Sequence, residues 1–129
     1  MRIEHVAYNV PEATKMAEWY VEHLGLTIIR ALGDEKQTTF LGDDNGRTLV
    51  EFYSNKAVEI PDYTAIDPLT LHIAYSVEDM DAERSRLIAA GARAADEVRT
   101  TAGGDQLAFL RDPWGFPIQF AQRSKPLLD

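Results

Sequence analysis

Residues 3–9 mix β-branched and aromatic side chains with alternating polarity, which predicts a strand. Pro11-Glu12 then reads as the first turn of a helix, where proline is tolerated and a carboxylate suits the dipole. Ala13, Met16, Ala17, Tyr20 and Leu24 recur at helical spacing and predict one inward face, with Gly25 as the stop. Strand-like runs follow near 26–31, 36–41 and 47–54, the last two joined through the turn-rich stretch Gly42-Asp43-Asp44-Asn45-Gly46. The plan then repeats. A strand is predicted at 70–77, and a helix over Glu78–Ala90 with Met80, Leu87 and Ile88 inward and Gly91 as cap. Strands near 92–99, 105–110 and 116–122 complete it, with Asp112-Pro113-Trp114-Gly115 as the last turn. The order is βαβββ twice, an α+β fold in one domain: module one at 1–55, a proline-containing linker at 56–69, module two at 70–123 and a loose tail at 124–129.

The two halves also match residue by residue. HVAYNV at 5–10 returns as HIAYSV at 72–77, an offset of 67 residues. Leu24-Gly25 corresponds to Ala90-Gly91, Phe40-Leu41 to Phe109-Leu110, and Val50-Glu51-Phe52 to Ile118-Gln119-Phe120. Strand side chains alternate between faces. His5, Ala7 and Asn9 therefore share one face, while Val6, Tyr8 and Val10 share the other and are expected under the helix. His72, Ala74 and Ser76 repeat the first set. Glu51 shares a face with Leu49, Tyr53 and Asn55, and Gln119 faces the corresponding polar side. Each half thus offers a histidine near its start and an oxygen donor near its end. A lone strand histidine is ordinarily a structural or surface group, and a glutamine on a half-exposed strand is ordinary too. The same two donor types at equivalent places in both halves point instead to a divalent cation, with room for water or a bidentate substrate.

Composition narrows the function classes. The 129 residues carry a net charge of −8, which argues against nucleic acid or an anionic membrane surface as partner. No cysteine is present, which removes disulfides, thiolate nucleophiles and thiolate zinc sites, and suits a cytoplasmic location. No stretch has the length and apolarity of a membrane span. His23, late in the first helix, reads as a helix C-terminal cation or surface group. Asp79, Asp81 and Glu83 read as a solvated helix N-terminus, and Gly103-Gly104 as a loop without the P-loop lysine. Trp114 is a candidate pocket wall.

The segments IEHVAYNV at 3–10, WYVEHLGL at 19–26, TLVEFYSN at 48–55, LHIAYSV at 71–77 and AGGDQLAFLRDPWGFPIQF at 102–120 resemble the vicinal oxygen chelate superfamily. That group includes glyoxalases, bleomycin-resistance proteins and ring-cleaving dioxygenases, and the pattern is most similar to bacterial glyoxalase I. The resemblance implies paired βαβββ modules in a curved sheet around a metal cleft. It implies one divalent ion (Ni, Zn, Co, Mn or Fe) held by His5, Glu51, His72 and Gln119, and a homodimer whose modules pair across the interface. It further implies a substrate pocket with Asn9, Tyr53, Asn55 and Trp114. Gln119 stands where the family carries a glutamate that serves as base, which leaves Glu51 as the catalytic carboxylate. Asn9 and Pro68 stand where the family carries glutathione-binding arginines. The function expected is a metal-dependent lyase or isomerase acting on a small substrate with vicinal oxygens through an enediolate. The alternatives are a metal-free binding protein of the bleomycin-resistance type and a ring-cleaving dioxygenase.

Overall fold

The computed structural model describes residues 1–46 and 49–127, and its chain divides into two compact units, Met1–Pro61 and Asp62–Asp129. Residues 47 and 48 of the expected fourth strand, and 128 and 129 of the expected tail, lie outside the described residues.

The first unit holds β1 (Val6–Asn9), α1 (Ala13–Leu24), β2 (Thr27–Ala31), β3 (Thr39–Gly42) and β4 (Leu49–Tyr53). Its sheet has the order β1-β4-β3-β2, with β1 and β4 parallel and the remaining pairs antiparallel. Met16, Ala17 and Tyr20 of α1 are buried with Leu41, Val50 and Phe52 of the sheet, and the Tyr20 and Phe52 rings meet edge to face at 5.0 Å. Trp19, absent from the predicted inward set, is buried as well. Leu24 is half-buried, and Gly25 ends the helix in the left-handed conformation at φ +70°. The register keeps Val6 and Tyr8 on the face of buried Val50 and Phe52, as expected, but their burial is less than expected. Val10 is fully buried, but Val6 is 41% exposed because β1 is an edge strand with one neighbour, and Tyr8 is half-buried. The strand expected at 36–41 begins only at Thr39. Asp34 accepts from the Thr38 N–H and hydroxyl, and Gln37 takes a positive φ of 56°, so residues 34–38 form a turn.

The second unit holds β5 (Ile73–Ser76), α2 (Met80–Ala89), β6 (Arg93–Ala94), β7 (Arg99–Thr100), β8 (Gln106–Arg111) and β9 (Pro117–Gln122). The order is β5-β9-β8-β6, with β7 also paired to β8. The single strand expected at 92–99 is thus two short ones. Asp96 breaks it: its carboxylate takes the Phe109 N–H at 2.6 Å, and the N–H groups of Ala95 and Asp96 both donate to the Phe109 carbonyl. Met80 and Leu87 are buried as expected, but Ile88 is 38% exposed. Apolarity at helical spacing there runs past the strip of α2 that the sheet covers. The expected linker is partly structured. Residues 63–65 form a 3-10 turn capped by Asp62; Tyr63 is buried against Phe116 at 4.8 Å, and Arg111 donates to the carbonyls of Tyr63 and Ile66. Ser124, placed in the tail, is tied to Asp105 through its N–H and hydroxyl.

The duplication extends to the helix starts. The first helical N–H of α1, at Ala13, donates to the Ser54 hydroxyl at 2.9 Å, and that of α2, at Met80, donates to the Gln122 side chain at 2.7 Å. Ser54 and Gln122 each lie three residues past Glu51 and Gln119, so the strand bearing the oxygen donor also satisfies an orphan donor of the helix.

Candidate functional site

In the first unit the register places the candidate donors on one face. Ala7 lies opposite Glu51 in the parallel pair, and Phe40 lies opposite Glu51 in the antiparallel one. His5, two residues before Ala7, projects to the same side: its Nε2 is 3.3 Å from Glu51 Oε2, and its ring meets that of Phe40 edge-on at 5.5 Å. His5 Nδ1 bonds to the Glu4 carboxylate. That bond raises the His5 pKa above the ordinary imidazole range. Burial opposes it, and the charges of Glu4 and Glu51 reinforce it. Both carboxylates can only accept, so the raised pKa corresponds to an imidazolium that donates from Nδ1 to Glu4 and from Nε2 to Glu51. A ring that gives up its Nε2 proton keeps Nδ1–H on Glu4 and leaves Nε2 free for a cation.

The second unit repeats this. Ala74 and Phe109 both lie opposite Gln119, on β5 and β8 respectively. His72 Nδ1 donates to the Pro68 carbonyl at 2.7 Å, and its ring meets Phe109 edge-on at 5.1 Å. The carbonyl fixes the same tautomer, with Nε2 as the free donor atom. Arg99 adds a cation over Phe109, its Cζ 5.4 Å from the ring centre, and its Nε pairs with Asp96 at 3.2 Å.

Phe40, Phe109, Glu4 and the Pro68 carbonyl escaped the reading of the sequence as site residues. The signal was present: Phe40-Leu41 and Phe109-Leu110 mark the repeat, and each phenylalanine is the cross-strand neighbour of an oxygen donor.

The four expected pocket residues are differently placed. Asn9 is 8% exposed; its amide donates to the carbonyls of Asn55 and Glu59 and accepts the Asn55 N–H, so it pins the chain after β4. Asn55 accepts from the Ala57 N–H in a local turn, and Tyr53 lies half-buried opposite Asn9. Trp114 is half-buried in the turn organised by buried Asp112. A hollow of about 550 Å³ at the start of α1 includes Asn55 among its lining residues but neither His5 nor Glu51.

Among the described residues no three His, Cys, Asp or Glu side chains are gathered into a ready-made cation site. Each unit instead presents a pair. The chemistry of each pair fits a divalent ion: an imidazole whose Nδ1 is held by an oxygen acceptor, the usual outer-shell arrangement of a ligating histidine, with Glu51 beside it in the first unit and Gln119 across from its neighbouring Phe109 in the second.

Residues 2–120 match the glyoxalase/bleomycin resistance protein/dioxygenase superfamily. The chain belongs to that superfamily. It is 28% identical over 131 residues to a probable lactoylglutathione lyase of Vibrio parahaemolyticus, covering 96% of this chain and 92% of that protein. Among solved structures, a glyoxalase family protein from Bacillus cereus shares the fold at a TM-score of 0.78 and 20% identity, covering 95% of this chain and 93% of the other. A glyoxalase I mutant from Zea mays matches at a TM-score of 0.73 and 27% identity, over 96% of this chain and 46% of the maize chain. Among the described residues no helix is long and apolar enough to cross a membrane.

Proposed function

We propose that this superfamily member is a metal-dependent lyase or isomerase of the glyoxalase type, acting on a small substrate with two adjacent oxygens. The observation that carries the reading is the His5–Glu51 pair, an imidazole oriented by Glu4 with its Nε2 3.3 Å from a carboxylate on one sheet face. The lactoylglutathione lyase names of relatives at about this identity support the same class. His5, Glu51, His72 and Gln119 would hold the ion. When bound, it supplies Lewis-acid polarisation of the substrate's oxygen pair.

The remaining roles fall to the chain. Glu51 takes the proton from one substrate carbon and returns it to the neighbouring carbon on the same face, a shift that one base can complete. Gln119 binds through its amide oxygen and cannot take a proton. The Phe40 and Phe109 rings meet the two histidines edge-on and help to orient them. Each unit supplies only two donors, so we also infer association into a homodimer, which light scattering reads directly; a monomer that keeps full activity removes that part. Elemental analysis of the purified protein, before and after chelator treatment, tests the core reading. One divalent ion per chain is expected, with activity lost on chelation and restored on re-addition. A metal-free protein whose ligand binding is indifferent to chelator would leave a binding protein in its place.

A further inference from the structure

β2 is the outermost strand of the first sheet, and its pairing with β3 slips by one residue. Ile28 stands opposite Leu41 and Arg30 opposite Phe40, so Ile29 is the extra residue of a β-bulge. The slip decides where Arg30 faces. In unbroken register Arg30 would stand opposite Thr39, on the face where Thr39, Leu41 and Phe52 are buried. With the bulge it shares the face of Phe40, because directly opposed residues of an antiparallel pair point the same way. Ile29 is turned to that face too. A Cβ on Gly42 would come within 3.1 Å of its side chain and 3.4 Å of Leu49, which alternates onto the face of Glu51.

The resulting row runs Arg30, Phe40, Glu51, Ala7 across the four strands, with the His5 ring against Phe40 and its Nε2 against Glu51. At about 4.8 Å between strands, the Arg30 and Glu51 backbones lie roughly 10 Å apart. Arg30 is exposed, and among the described residues its guanidinium has no ion pair. A chain of net charge −8 repels anions at large, so an anionic substrate needs a local cation beside the reacting centre. A guanidinium is the side chain best matched to a carboxylate, which it binds through two parallel N–H donors.

We propose that Arg30 is a specificity-determining residue that binds a carboxylate carried by the substrate at the far side of Phe40 from Glu51. The substrate class is then a pair of adjacent oxygens, a short apolar spacer lying along the Phe40 ring, and a terminal carboxylate. This rests on the reading of His5 and Glu51 as part of a chelating site.

A matched pair of probes separates the two ideas. The monohydroxamate of glutaric acid presents two adjacent oxygens and a free carboxylate; its primary amide differs only in losing the charge. Calorimetry on the Zn²⁺-equilibrated protein compares wild type with Arg30→Met and Arg30→Lys, and with His5→Ala. The wild type is expected to prefer the acid by about tenfold or more, the size of one charge-assisted pair. Arg30→Met should bring the ratio to about one without changing the amide's affinity, and Arg30→Lys should keep part of the preference, as a point charge does. Arg30 is an exposed edge-strand residue, so both variants are expected to fold, which circular dichroism checks. Equal affinity of wild type for acid and amide, or a preference that survives in Arg30→Met, overturns the proposal and leaves the chelating site standing. Binding of neither probe, or binding of both undiminished by His5→Ala, overturns the chelating site and the role of Arg30 with it.

Discussion

The two units are copies that have diverged at their chemistry while keeping their geometry. Both set a histidine ring edge-on to a phenylalanine, at 5.5 Å in the first and 5.1 Å in the second, and both place the oxygen donor opposite that phenylalanine. Both close a helix start with a side chain three residues past the donor. The donors themselves differ: a carboxylate at Glu51, a neutral amide at Gln119. The outer partners of the histidines differ too, a charged Glu4 against the Pro68 carbonyl. Backbone register is therefore the inherited element, and side-chain ionisation is the part free to change. On the proposed function the first unit binds and moves a proton, whereas the second only binds.

The largest effect should come from exchanging the two oxygen donors. Glu51→Gln should lower turnover of a substrate with two adjacent oxygens by about 10²–10⁴-fold, the range for loss of a general base, with little loss of metal. Gln119→Glu should be tolerated, because on the proposed function it puts a carboxylate where an amide would coordinate. Steady-state kinetics with several divalent ions reads both. A Glu51→Gln variant at wild-type rate would take Glu51 out of the mechanism and dissolve the contrast between the units. Next come the histidines. His5→Ala and His72→Ala should each weaken metal binding by more than the about 10–100-fold typical of removing an outer-shell partner, while circular dichroism stays unchanged. Stoichiometric metal in either variant would show that the histidine it lacks is not a ligand.

Much of this was legible beforehand, for a physical reason. A strand has a period of two, so the faces of His5, Ala7 and Glu51 follow from spacing alone, and duplication tests every assignment twice. What stayed hidden depends on partners distant in the chain. The bulge at Ile29 exists only relative to β3. The role of Asn9 depends on residues 55–59 returning over it, which no local pattern announces. The split of the expected strand at 92–99 arises because the Asp96 carboxylate competes with its own backbone for the Phe109 N–H. Ile88 has the right helical position to be buried, but periodicity shows a face and not its cover.

The turns before the donor strands offer a smaller, purely structural contrast. Gly46 and Gly115 both have positive φ, +60° and +83°. A Cβ at Gly46 would meet open space, whereas one at Gly115 would run into the Thr64 side chain. Gly46→Ala should therefore cost only the conformational term, about 1–2 kcal/mol. Gly115→Ala should cost more, because it must also displace the 3-10 turn that carries Tyr63 and receives Arg111. Urea unfolding of the two variants measures the difference; equal midpoints would show that the turn at 63–65 yields freely.

The smallest effect is on acid stability, where the units again differ in kind. In the second, Asp105 is held below the ordinary carboxylate range first by its Arg123 hydrogen bond, then by Ser124, with the Arg123 charge adding to both. In the first, Asp34 is lowered chiefly by the Thr38 N–H, with smaller help from the Thr38 hydroxyl and least from Lys36. A carboxyl group whose folded pKa lies below its unfolded value of about 3.9 binds fewer protons folded than unfolded. Its stabilisation is thus present above that value and is lost as pH falls through the depressed folded pKa. Unfolding midpoints followed from pH 6 downward should decline for the wild type in that acidic window and more shallowly for Asp105→Asn and Asp34→Asn. Salt separates the two. Added salt should shrink the Asp105 contribution, which leans on a full charge, and leave that of Asp34 nearly unchanged, since its partners are mainly neutral donors. Equal salt sensitivity of the two variants would mean that the Arg123 charge adds nothing beyond its hydrogen bond.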